Sequence, residues 1–127
     1  MIDHVSIAVR DLAAVARFYQ AVLAALGHAK LVARPGTIGF GKRYPEFWLN
    51  ERRTMTPLDP DSGTHIALRA PDTAAVAAFH AAALQAGGAT DGAPGPRPEY
   101  SAGYYAAFVR DPEGNRIEAV TFVTARA

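Results

Sequence analysis

A chain of 127 residues, half of them hydrophobic and a fifth charged, can bury one core and has an ordinary globular balance. Thirteen basic residues against twelve acidic leave a formal charge of +1, which excludes the strong field that nucleic acid or an anionic membrane surface would call for. The absence of cysteine excludes disulfides and thiolate metal sites, and no apolar run approaches the ~20 residues that cross a bilayer.

A strand-like pattern begins by Ile2, leaving no room for a signal peptide, so a cytoplasmic location is expected. Val5, Ile7 and Val9 alternate with His4, Ser6 and Ala8, the period-two pattern of a strand covered on one face. Asp11 is placed to cap the next helix, whose Leu12, Val15, Phe18, Tyr19, Val22, Leu23 and Leu26 recur at three- and four-residue steps, with Gly27 suited to its end. Short strands are expected at Lys30–Arg34, Thr37–Gly41 and Glu46–Asn50, separated by Pro35-Gly36 and Tyr44-Pro45. The doublets Lys42-Arg43 and Arg52-Arg53 read as solvated loop charge.

A connector over 51–63 leads to a second strand pattern, His65 with Ile66 and Leu68, then an Asp72 cap and a helix carrying Val76, Phe79, Ala83 and Leu84, ending at Gly87-Gly88. A short strand near Ala89–Asp91 precedes the Pro- and Gly-rich stretch Asp91–Gly103, which is long for a plain turn and reads as a lid or as a surface loop. Strands at Gly103–Arg110 and Arg116–Val123 flank Asp111-Pro112-Glu113-Gly114-Asn115, a pentad suited to a tight antiparallel turn.

The chain repeats itself. With an offset of 61, HVSIAVRDLAAVARFYQAVLAALG overlies HIALRAPDTAAVAAFHAAALQAGG, matching His4 to His65, Asp11 to Asp72, Phe18 to Phe79, Leu23 to Leu84 and Gly27 to Gly88. Alanine abundance inflates the overlap, but these pairs fall at strand starts, caps, core positions and helix ends. The expected fold is α+β: two βαβββ modules, about 1–50 and 64–127, forming a cupped mixed sheet in a single unit. Neither half, at about 60 residues, would cover its sheet alone.

Alternation assigns faces. If Val5, Ile7 and Val9 lie under the first helix, His4 points to the opposite, concave face, and by the same argument so do His65 and Arg69 in the second module. On the last strand Arg116, Glu118, Val120 and Phe122 share one side. A lone histidine or glutamate on a strand is more often ordinary polar lining. Two histidines at one repeated position together with a glutamate instead point to a site for one divalent metal, Zn, Fe, Mn, Ni or Co, whose ligands must converge at about 2.0–2.2 Å.

The segments IDHVSIAVRDLAAVARFY, THIALRAPDTAAVAAFH and GYYAAFVRDPEGNRIEAV resemble the vicinal oxygen chelate superfamily, the glyoxalase, bleomycin-resistance and extradiol-dioxygenase proteins, over nearly the whole chain. The resemblance implies metal ligands at His4, His65 and Glu118, homodimers, and metal-assisted chemistry of lyase, isomerase or dioxygenase type on a small molecule with vicinal oxygens. It equally implies an alternative, sequestration of an antibiotic or other small molecule without chemistry. Glyoxalase I enzymes generally add a fourth ligand on the last strand of the first module. Here the repeat sets Trp48 opposite Glu118, and Glu46, two residues earlier, is the candidate that reaches inward as base or ligand. Trp48, Phe40, Arg69, Tyr104, Tyr105 and Phe122 are candidate walls of the substrate pocket. His28 and His80, at a helix end and on a helix, are expected to be exposed.

Overall fold

The computed structural model describes residues 1–124, so the last three residues of the expected second module lie outside the described residues. The elements follow the order β1 Val5–Val9, α1 Leu12–Ala25, β2 Ala29–Arg34, β3 Thr37–Gly41, β4 Pro45–Glu51, β5 His65–Arg69, α2 Thr73–Gln85, β6 Ala89–Pro96, β7 Tyr104–Arg110 and β8 Arg116–Phe122. The strands form two four-stranded mixed sheets, β1-β4-β3-β2 and β5-β8-β7-β6, each with one parallel pair at the start and antiparallel neighbours after it. The fold is thus α+β, two βαβββ modules. Neither helix is long and apolar enough to cross a membrane.

Local sequence explains both helices. The Asp11 and Asp72 side chains accept from the Ala14 and Ala75 amides at 3.1 and 2.8 Å, and Gly27 and Gly87 take φ of +87° and +95° just past the helix ends. Val15, Phe18, Tyr19, Val22 and Leu23 of α1 and Val76, Phe79 and Ala83 of α2 are buried, and the helices pack on each other as well as on their own sheets. Val9, Leu49, Phe40, Phe47, Val109, Ile117 and Ala119 complete one core that runs through both modules.

Two contacts lock the modules together. The Tyr19 hydroxyl of α1 donates to Asp111 Oδ2 at 2.7 Å, while the same carboxylate accepts from the Asn115 side chain and from the Glu113 and Asn115 amides, closing its own turn. Glu113 then accepts from the amides of Arg10 and Asp11 at 2.7–2.8 Å, setting a negative charge where the α1 dipole is positive. Burial pushes the Asp111 carboxyl above its ordinary range against the pull of these donors, and pushes the Tyr19 phenol well above its own. The modules also touch at Gly88, where an added Cβ would stand 2.5 Å from the Phe18 ring and 2.6 Å from the Arg110 carbonyl oxygen.

β6 is longer than the three residues expected, running to Pro96 through two register shifts. It forms the sheet edge, where the missing amides of Pro94 and Pro96 break no ladder. Beyond it the Arg97 amide donates to the Tyr104 carbonyl at 2.7 Å and the Tyr100 amide to the Arg97 carbonyl at 3.0 Å. Half of the stretch read as lid or loop is therefore strand, and the remainder is a bonded turn.

Replacement of Tyr19 by Phe leaves the core filled but takes one donor from the buried Asp111. It should lower stability by about 1.5–3 kcal/mol, seen as a lower urea midpoint at unchanged slope.

Candidate metal and ligand site

The parallel pairing of β5 with β8 sets Ala67 beside Glu118, with His65 one strand over and two residues earlier on the same face. His65 Nε2 lies 3.2 Å from Glu118 Oε1, and Glu118 is only 2% exposed. Its other oxygen accepts the hydroxyl of Tyr104, brought to the same face by β7. Partial burial, and then donation to Glu118, push the Tyr104 phenol up to about 12. This cluster lies in a cavity of about 590 Å³ whose further walls are Phe108, Arg97, Arg116 and Tyr100.

His4 precedes β1 and is exposed, its Nδ1 held 2.7 Å from Asp3 Oδ1. Tyr44 donates to the other Asp3 oxygen at 3.2 Å, and these two hydrogen bonds, that of His4 foremost, lower the Asp3 pKa. His4 lines a second cavity of about 730 Å³ with Glu46, Lys42, His28, Arg69 and Phe122. Burial, then the charge of Lys42, pull the His28 pKa below its usual value.

The expected ligands therefore divide into a pair, His65 with Glu118, and a single histidine in the neighbouring cavity. Among the described residues no three His, Asp or Glu side chains of one chain come together as a cation requires. The donor chemistry of the pair suits a divalent ion: an imidazole nitrogen and a buried carboxylate within reach of each other, the carboxylate fixed by a phenol.

The strand registers give the expected Trp48–Glu118 equivalence a structural basis. Ser6 pairs with Trp48 and Ala67 with Glu118, and Ser6 and Ala67 are themselves one repeat apart. Trp48 lies over Gly39 and outside both cavities. Phe40 is a core residue paired with Phe47 and reaches only the floor of the His4 cavity. Tyr105 packs on the core, one residue out of phase with Tyr104. Arg69 and Phe122 line the His4 cavity, the guanidinium 5.4 Å from the ring centroid, rather than the cavity of His65. The expected exposure of His28 and His80 is corrected: both are half-buried, His28 in a cavity wall and His80 by a 2.8 Å bond to the Thr90 hydroxyl.

Asp3, Tyr44, Arg97, Tyr100 and Phe108 were not singled out from sequence, and Arg116 was placed on the face of Glu118 without a role. Phe108 was within reach of the alternation argument, since it pairs with Glu118 on the neighbouring strand. Arg97 lies in a turn where no periodic signal operates.

The Tyr104 phenol should remain protonated through pH 11. The variant Glu118→Gln should bring its ionisation midpoint down while leaving the share due to burial. The ¹³Cζ shift of labelled tyrosine measures both.

A family model described as the Glyoxalase/Bleomycin resistance protein/Dioxygenase superfamily matches residues 1–119. A glyoxalase/bleomycin resistance protein from Albidiferax ferrireducens is 31% identical, with a TM-score of 0.83, covering 93% of this chain and 96% of that one. A family enzyme from Burkholderia phytofirmans, 20% identical, covers 96% and 98% with a TM-score of 0.72, and a glyoxalase/dioxygenase from Nostoc punctiforme, 18% identical, covers 98% and 92% with a TM-score of 0.74. The last two likenesses are of fold alone. No curated protein sequence matches the chain.

Proposed function

The chain belongs to the glyoxalase/bleomycin resistance protein/dioxygenase superfamily, and we propose that it is a metal-dependent enzyme acting on a small molecule with vicinal oxygens, by lyase, isomerase or dioxygenase chemistry. The observation that carries this reading is the His65–Glu118 pair, an imidazole 3.2 Å from a carboxylate that has almost no access to water. A carboxylate buried on the face of a sheet is costly without positive partners, and a divalent cation is the partner that this donor set suits best.

His65, Glu118 and His4 would hold the ion. His4 lies in the other cavity of its own chain, so in this reading the triad is completed between two copies related by a two-fold axis. Each copy then lends His4 to the partner's His65–Glu118 pair. Exposed Phe122 and Tyr100 beside the two cavities support burial against a second chain.

Once bound, the cation would polarise a ligand oxygen and stabilise developing oxyanion charge. The remaining work falls to side chains. Tyr104 holds one Glu118 oxygen and so fixes the direction of the other. Glu46, in the His4 cavity and without an ion pair among the described residues, would arrive with His4 and take a proton from the ligand.

Mixing variants tests the shared site. His4→Ala and His65→Ala should each lose bound metal, measured by plasma mass spectrometry. Unfolding and refolding them together should restore about a quarter of the wild-type content, because half of the dimers are mixed and each of these has one intact site. A site built within one chain would show no restoration.

The sequestration reading draws on one observation: Tyr100, Tyr104 and Phe108 meet edge to face in the His65 cavity and would grip a flat ligand without chemistry. Catechol, a minimal ligand with neighbouring oxygens, should weaken by about tenfold after dialysis against chelator. Calorimetry showing undiminished affinity would favour sequestration instead.

A further inference from the structure

The His65 cavity contains a cation that its own walls do not neutralise. Arg110 and Arg116 approach Asp91 at 3.8 and 4.0 Å, and both donate to the Pro60 carbonyl. Arg97 has no carboxylate within 4 Å among the described residues. Its guanidinium is nevertheless held in place. It donates to the Ala93 carbonyl at 2.7 Å and the Pro96 carbonyl at 3.2 Å, and lies 5.5 Å from the centroid of the Phe108 ring. Of the five N–H donors of a guanidinium, these bonds use two.

Room for it is made by glycine. A Cβ on Gly92 would stand 2.9 Å from Phe108 and 3.3 Å from an Arg97 nitrogen, and one on Gly95 would stand 3.2 Å from the other. Both glycines sit at the register shifts of β6, where the edge strand bends and its carbonyls become free to accept. Gly92, Phe108 and Glu118 lie in one row across three neighbouring strands. Gly92, beside the guanidinium, and Glu118 thus mark opposite ends of that row, their backbones roughly 10 Å apart across two strand spacings, and the rings of Tyr100, Tyr104 and Phe108 line the same cavity.

We propose that Arg97 is the anion-recognition residue of this cavity and that the ligand class is an aromatic carboxylate, its ring against Phe108 and the tyrosines and its carboxylate on the guanidinium fork. The inference rests on reading the cavity as the ligand site, and it specifies which small molecules that site accepts. A fixed planar fork with unused donors matches a carboxylate in two-point contact, and the span between the two ends suits one six-membered ring substituted at opposite sides.

Calorimetry with a matched pair of probes tests it. Catechol and 3,4-dihydroxybenzoate share their vicinal oxygens and differ by one carboxylate. Wild-type protein loaded with Zn should bind the acid about tenfold or more tighter. Arg97→Gln should bring the ratio of the two affinities close to one, and Gly92→Ala, which crowds the guanidinium without removing its charge, should reduce it part of the way. Circular dichroism confirms that each variant is folded. Equal affinities in wild type, or a ratio indifferent to Arg97→Gln, overturns the proposal. Benzoate and cation-free protein separate this outcome from failure of the metal reading. Benzoate binding that depends on Arg97 supports the subsite whatever becomes of the cation, and binding that is absent or indifferent to Arg97 overturns it.

Discussion

The carboxylate of Asp111 sits in the seam between the modules, where it receives the Tyr19 phenol from one side and the donors of its own turn from the other. With Glu113 fastened to the amides of Arg10 and Asp11 just ahead of α1, this turn ties the second sheet to the start of the first helix. The covered faces of both sheets are consumed by α1, α2 and the shared core. What remains open is the opposite faces: residues of the second module alone line the His65 cavity, and residues of both modules line the His4 cavity. The location of the candidate site follows from how the core is closed, before any ligand residue is considered.

The two modules have diverged at the position on which the proposed metal site turns. At one register position the second module places a glutamate and the first a tryptophan stacked over a glycine. Glu118 is buried and needs His65 and Tyr104 as partners, while Trp48 fills space. The charged side chain at that register belongs to one half of the duplication, while His4 and Glu46 of the other half line the second cavity. This asymmetry makes the proposed exchange of His4 between copies useful, since neither module carries a full set of donors.

Period-two alternation made the strand faces legible from sequence, and with them the exposure of His65 opposite the buried Ile117 and Ala119. Paired aspartate caps and glycine stops made both helices readable. Alternation says which face a residue takes but nothing of how two sheets stand relative to each other. The separation of His4 from His65 and Glu118 was therefore hidden, because it depends on helix packing and on the Asp111 seam. Tyr105 looks like a pocket aromatic in composition, yet its register turns it to the core, while Phe40 is a core residue that also reaches the His4 cavity. Arg97 was invisible for another reason: its position depends on bulges in an edge strand, and a bulge leaves no periodic trace.

The bends of β6 reach beyond ligand recognition. An unprotected sheet border invites a further chain to align along it, the first step toward fibrous stacking. Here that border has proline at two of its eight positions and loses regular register twice, so it offers no continuous row of amides to copy. The same irregularity that makes space for a guanidinium therefore ends the second sheet, and it favours a discrete particle over an open-ended aggregate on that flank.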